Sequence, residues 1–165
     1  MLALDGIKVL DFTNGFPGAI ATMILSDNGA DVIKVEPPMG GGEVRSLGPF
    51  PNGERNPETS GMHLYLNANK RGITLNVESR QGISILRELV ATADIVVESF
   101  APGVMAEIGL DFDALEELRP GILLTSITPF GQTGPWRDYQ ATDLVEYAAS
   151  GMSYVNGVEG REPLK

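Results

Sequence analysis

Cysteine is missing from all 165 residues, which removes disulfides, thiolate catalysis and cysteine-held metal together. Histidine is nearly missing too. His63 is the sole imidazole, which argues against a histidine-centred metal site and leaves structural or surface duty as its ordinary reading. No stretch reaches the roughly eighteen consecutive apolar residues of a membrane span. The first residues lack a basic region followed by a long apolar run, so a secretion signal is not indicated and a cytoplasmic location is expected. Positive charge is also scarce, with 12 Lys and Arg against 22 Asp and Glu and a net charge of −10. Such a surface repels nucleic acid and anionic lipid, so neither is expected as a partner. A polyanionic ligand would have to be met by a few concentrated cations or by main-chain N–H groups at helix starts.

What is present suits one folded unit: 17.6 kDa and 42% hydrophobic residues are enough for a single core. Residues 7–12 form a short apolar run that ends at Thr13-Asn14-Gly15 and reads as a buried strand entering a turn. A helix is expected next. Pro17 suits its first turn, Ile20, Ala21, Met23 and Ile24 form an apolar stripe, and Asn28-Gly29 provides a left-handed stop. Residues 31–36 are a second strand. Strand, helix and strand in about thirty residues make a βαβ unit and hence a parallel sheet. Pro and Gly then crowd residues 37–60, a loop long enough to be a lid or binding segment. Beyond it, residues 72–76 are a strand candidate, 81–93 a helix, 94–99 a third firm strand and 122–127 another, with short helices from Pro102 and from Asp111 or Asp113 to Leu118. A turn-rich loop over 129–136 precedes a helix capped by Thr142 or Gln140. The alternation predicts an α/β fold with a Rossmann-like, doubly wound, mainly parallel sheet.

In such a sheet the turns after Phe12, Glu36, Ser99 and Ile127 share the carboxyl-end rim, where ligands bind. Gly15 and Gly18 with Glu36 about twenty residues on resemble a dinucleotide-binding spacing, but the Gly-x-Gly-x-x-Gly fingerprint is not there, and a relieved turn with a surface carboxylate is the plainer reading. Ser60 and His63 are close in sequence yet lack a nucleophile elbow. Asp11 ends the first strand and Asp143 starts the last clear helix, where a carboxylate is ordinarily a cap or first-turn charge.

Five segments in order carry a resemblance. They are LDGIKVLDF at 4–12, LSDNGADVIKVEPP at 25–38, LNANKRGITLN at 66–76, ADIVVESFAPG at 93–103 and FGQTGP at 130–135. Together they resemble the amino-terminal portion of family III (CaiB/BaiF-type, formyl-CoA transferase-like) CoA-transferases over nearly the whole chain. The resemblance implies a Rossmann-like CoA-binding domain over 1–165, acyl-CoA and carboxylic acids as substrates, no metal, and an interlocked homodimer or a paired family III half in the complete protein. It also implies an aspartate that takes the acyl group as a mixed anhydride. In the family that aspartate follows the segment matching residues 161–165 by a few positions, so no catalytic residue is expected before Lys165.

By motif position the family's CoA contacts fall on Phe16 and Pro17, on Leu75, Asn76, Val77 and Glu78, on Ser99, Phe100 and Ala101, and on Thr128, Pro129, Phe130 and Gly131. Three positions where relatives often place cations toward the phosphates hold Pro37, Glu107 and Thr128, and Ser99 stands where Asn is usual. Losing cations near a polyphosphate weakens binding. Either Lys34, Arg45, Lys70 and Arg71 compensate, or the domain is catalytically degenerate and acts as a scaffold or partner half. The racemase branch uses a histidine where Thr142 stands, which disfavours racemisation.

Overall fold

The computed structural model describes residues 1–158 and 160–162. Length alone suggests one compact unit, whereas the chain divides into two, Met1–Ile127 and Thr128–Lys165.

The first unit is built on five strands, β1 (Lys8–Phe12), β2 (Asp31–Glu36), β3 (Arg71–Thr74), β4 (Ile95–Glu98) and β5 (Leu123–Ser126), in spatial order β3-β2-β1-β4-β5. All four pairings are parallel. Strands covered on both faces read as continuous apolar runs, which is why residues 7–12 and 94–99 are legible as strands. Leu10, Phe12, Val35 and Val96 face one side and pack with Leu86 and Val90 of helix α3 (Arg80–Val90) and Leu115 of α5 (Phe112–Leu118). Val9, Val32 and Val97 face the other side, with Leu25 of α1 (Phe16–Asp27) against them. Helices α2 (Gly61–Leu66) and α4 (Val104–Glu107) complete the unit, and three single 3-10 turns at Glu43–Ser46, Pro51–Gly53 and Pro57–Thr59 are the only helical structure in the Pro/Gly-rich loop among the described residues.

Caps explain the helix starts. Ser60, Ser79 and Asp111 accept the main-chain N–H of His63, Gly82 and Ala114 at 3.0–3.1 Å, so Asp111 rather than Asp113 begins α5. Gly29, at φ +104°, turns the chain out of α1 so that Ala30 N–H reaches back to the Leu25 carbonyl at 3.1 Å. The buried face of α1 departs in part from the apolar stripe expected of it: Ile20 and Met23 pack against buried Ala19, Val44 and Leu66, half-buried themselves. Gly18, Ala19, Thr22 and Ser26 point inward, while Ile24 is 53% exposed. This helix lies over a charged residue at the end of β1, and small or hydroxyl side chains are what can approach it.

The second unit contains α6 (Asp143–Ala149) and α7 (Met152–Val155). Thr142 is the N-cap residue of α6 as expected, without a side-chain capping bond. Within this unit Phe130 sets its ring edge-on to Trp136 and Tyr139, with centroids 6.1 and 6.3 Å apart. Of the segment at 161–165, residues 163–165 lie outside the described residues.

Candidate functional site

A cleft of ≈ 740 Å³ opens at the carboxyl ends of β1, β2, β3 and β4. Its walls are the turns that leave those strands: Thr13 and Asn14 after β1, Pro37 to Met39 after β2, Leu75 to Glu78 after β3, and Ser99 to Ala101 after β4. With β1 between β2 and β4, the chain runs outward in one direction through β2 and β3 and in the other through β4 and β5. The cleft therefore includes the switch point of the sheet, where the two turns flanking it diverge and leave room for a ligand.

Those turns are tied together by Asn14. Its side-chain carbonyl accepts the Glu43 N–H at 2.7 Å, and its main chain is clasped by the Ser99 hydroxyl. Glu98, 1% exposed, accepts the Phe100 N–H at 2.6 Å and shapes the β4 turn from beneath. Where α1 leaves the first turn, a Cβ on Gly18 would stand 2.2 Å from Thr13 Cβ. No other residue fits that close approach of helix to turn.

Under the β1 turn lies a buried charge cluster. Asp11 is fully enclosed and pairs across the strands in register with Lys34. Its Oδ1 accepts from the Thr13 N–H at 2.9 Å, the Thr13 hydroxyl at 2.7 Å and Lys34 Nζ at 3.1 Å. Its Oδ2 accepts from the Thr22 hydroxyl at 2.6 Å and Lys70 Nζ at 3.2 Å. Lys34 also donates to the Thr13 carbonyl, and Lys70 to the Ala19 carbonyl at 3.0 Å. Burial alone would raise the Asp11 carboxyl, but the Lys34 ammonium, the Thr22 hydroxyl and the Lys70 ammonium outweigh it and hold it below the ordinary Asp range. Burial pushes the Lys70 ammonium down, with Asp11 opposing.

Glu36 is enclosed as well, which corrects its reading as a surface carboxylate. Arg45 binds it through Nε at 2.9 Å and Nη2 at 2.7 Å, and Gly42 N–H donates to it at 2.9 Å. Those bonds overcome burial and lower its carboxyl. A strand-end acid gripped in this way has its acceptor capacity taken, so it is not poised to receive ribose hydroxyls. His63 stands by this pair, and burial followed by the Arg45 guanidinium keeps its imidazole below the ordinary value. Ser60 is fully buried, donates to the Leu47 carbonyl at 2.5 Å and caps α2, a structural duty. Among the described residues, no group of three or more His, Cys, Asp or Glu could hold a metal ion.

The cleft gathers Pro37, Leu75, Asn76, Val77, Glu78, Ser99, Phe100 and Ala101 from the residues singled out in the sequence. Phe16, Pro17 and Glu107 are outside its lining, and Thr128 to Gly131 open the second unit. Asn14, Met39 and Gly42 line it without having been singled out, although the polar turn after β1 and the Pro/Gly-rich loop after β2 contain them. Each cation proposed to compensate has a carboxylate partner: Lys34 and Lys70 share Asp11, Arg45 binds Glu36 and Glu58, and Arg71 binds Asp31 at 2.6 Å.

The family model for CoA-transferase family III matches residues 4–165. The chain is 39% identical over 166 residues to succinyl-CoA:glutarate CoA-transferase of Mus musculus, covering 100% of this chain and 37% of that protein. It is 39% identical to formyl-CoA:oxalate CoA-transferase of Streptomyces coelicolor, covering 98% of this chain and 38% of that protein. A crystal structure of a CaiB/BaiF family protein from Brucella suis superposes with a TM-score of 0.89 at 36% identity, over 99% of this chain and 43% of the other. The chain thus spans under half the length of these relatives.

Proposed function

Because this chain belongs to CoA-transferase family III, we propose that the protein transfers CoA between carboxylic acids and that residues 1–165 supply most of its CoA-binding half. The acyl group of the donor thioester passes to an aspartate carboxylate C-terminal to Lys165, forming a mixed anhydride as CoA thiolate leaves. The thiolate then attacks the aspartyl carbonyl and expels the donor carboxylate, leaving an aspartyl-CoA thioester. The acceptor carboxylate attacks that thioester to form a second anhydride, and the released thiolate attacks the acceptor's acyl carbonyl, giving the new acyl-CoA and freeing the aspartate. The observation that supports this best is the cleft at the strand ends, which has room for an extended, largely neutral ligand such as a pantetheine arm, with apolar Leu75, Val77 and Phe100 beside main-chain and amide groups. Two copies of the complete protein, or one copy with a second family III half, would form the working assembly. Exposed Leu144, Val145, Met152 and Tyr154 of the second unit are available for such contacts. No described helix is long and apolar enough to cross a membrane, and a cytoplasmic site of action fits acyl-CoA exchange.

Calorimetric titration with CoA tests the binding half, with micromolar affinity as the expected result. In the complete protein, a radiolabelled acyl-CoA should leave its acyl group on an aspartate shortly after Lys165, and a folded protein that binds CoA but acquires no label there would reject the mechanism.

One observation favours a second reading, a family III domain that has lost chemistry and serves as a scaffold. The cations best placed near the cleft are all committed to carboxylates, as described above. Absence of CoA binding with intact folding would select that reading.

A further inference from the structure

If the cations around the cleft are spoken for, a nucleotide carrier needs another. Beyond Lys34, Lys70, Arg45 and Arg71, the first unit's Arg119 is held by Asp94 at 2.9 Å. Arg55 and Arg87 donate to the carbonyls of Ser46 and Gly109, and Lys8 lies in the field of Asp94. Among the described Lys and Arg side chains of the first unit one remains with no hydrogen bond, ion pair or charge partner, and it is Arg80.

Its place in the fold is what matters. All strands run the same way, so the first residue of the helix that follows β3 lies at the rim where the cleft opens. Arg80 is that residue, the first of α3, and its side chain is exposed. Glu78, two residues earlier, lines the cleft, and two residues span at most about 7 Å of chain. A free guanidinium with five donors suits a phosphate better than any other side chain.

Resting on the CoA-binding reading above, we propose that Arg80 is a specificity-determining residue that binds a phosphate group of the CoA nucleotide at the mouth of the cleft. The adenosine-phosphate end then lies toward the start of α3 and the pantetheine arm runs into the cleft. Phosphate affinity is thereby supplied from a cation that no internal carboxylate requires.

The test is calorimetry on the 165-residue chain with CoA, dephospho-CoA and pantetheine, comparing the unaltered chain with Arg80→Gln and with Lys8→Gln, the same charge change at the opposite rim. Arg80→Gln is expected to weaken CoA by about tenfold, to leave pantetheine unchanged, and to leave the thermal midpoint in place. Lys8→Gln should leave CoA binding unaltered. If the Arg80→Gln loss vanishes with dephospho-CoA, the contact is to the 3′-phosphate. If it persists, the contact is to the pyrophosphate. Equal CoA affinity in Arg80→Gln and the unaltered chain, an equal loss in Lys8→Gln, or an equal loss with pantetheine would overturn the assignment while the CoA-binding reading stands. An unaltered chain that binds no CoA would remove that reading and this assignment with it.

Discussion

Ser99 and Asn14, 85 positions apart, meet through a single hydroxyl: Ser99 Oγ accepts the Asn14 main-chain N–H at 2.6 Å and donates to its carbonyl at 3.1 Å. One side chain thus fastens the turn after β4 to the turn after β1, the two turns that diverge at the switch point.

Ser99→Ala removes that clasp without leaving a cavity of consequence. Because the bonds are exposed to solvent, the expected loss of stability is modest, about 0.5–1.5 kcal/mol, read from urea unfolding. CoA affinity should fall further than stability would suggest, since the cleft walls lose their mutual register.

The buried cluster supports an ordering of three variants. Asp11→Ala strands two enclosed ammonium groups and should cost about 3–5 kcal/mol, on the scale of breaking a buried pair. Lys70→Met keeps Asp11 matched one to one with Lys34, and Lys34→Met keeps it matched with Lys70, so each should cost less than Asp11→Ala. Denaturation midpoints of the three, compared side by side, check the order. An equal loss in all three would contradict the charge count.

Acid should unfold the protein in a predictable window. The carboxyls of Asp11 and Glu36 are lowered in the folded state, so between those lowered values and the ordinary range near pH 4 the unfolded chain binds more protons than the folded one. Their contribution is complete above the ordinary range and is lost as pH falls through the folded-state values. Glu36→Gln should give a shallower decline of stability below about pH 5, measured by urea midpoints at successive pH values.

Gly18→Ala would place a methyl 2.2 Å from Thr13 Cβ and 2.4 Å from Thr13 Oγ1. Overpacking of this kind costs about 1–3 kcal/mol or more, although alanine is the better helix former by about 1 kcal/mol at an open site. A lowered thermal midpoint is expected, and a raised one would show that the turn can yield.

Glu78 places an exposed carboxylate on the cleft wall. Glu78→Gln should tighten CoA binding several-fold at low salt, with the gain shrinking as salt rises, because exposed charges are screened within about 10 Å at 0.1 M.

The strands were legible because β1, β2 and β4 are buried on both faces and write themselves as apolar runs; parallel order followed from the connecting helices. The cleft's position followed from that order. The inward face of α1 was legible only in part, since Ile20, Met23 and Ile24 make a conventional stripe while the helix turns Gly18 and Thr22 toward Asp11. Nor could the pairing of the lysines be read in advance. Lys34 and Lys70 lie 23 and 59 positions from Asp11, and local pattern contains nothing about which of two distant cations a carboxylate receives. Arg80 is illegible in the sequence for the opposite reason, as its significance arises only because every neighbouring Lys and Arg is engaged.

The strand order has a consequence for the growing polypeptide. β1 is translated first and obtains β2 soon afterwards, but its other flank stays bare until β4 emerges, 86 positions further along by the pairing of Val9 with Ile95. A ribosome-bound chain halted before that point would display an apolar, hydrogen-bond-hungry strand border, the kind that recruits other chains. The cleft's second wall arrives with the same strand, so protection from self-association and completion of the cleft are acquired in one event during synthesis.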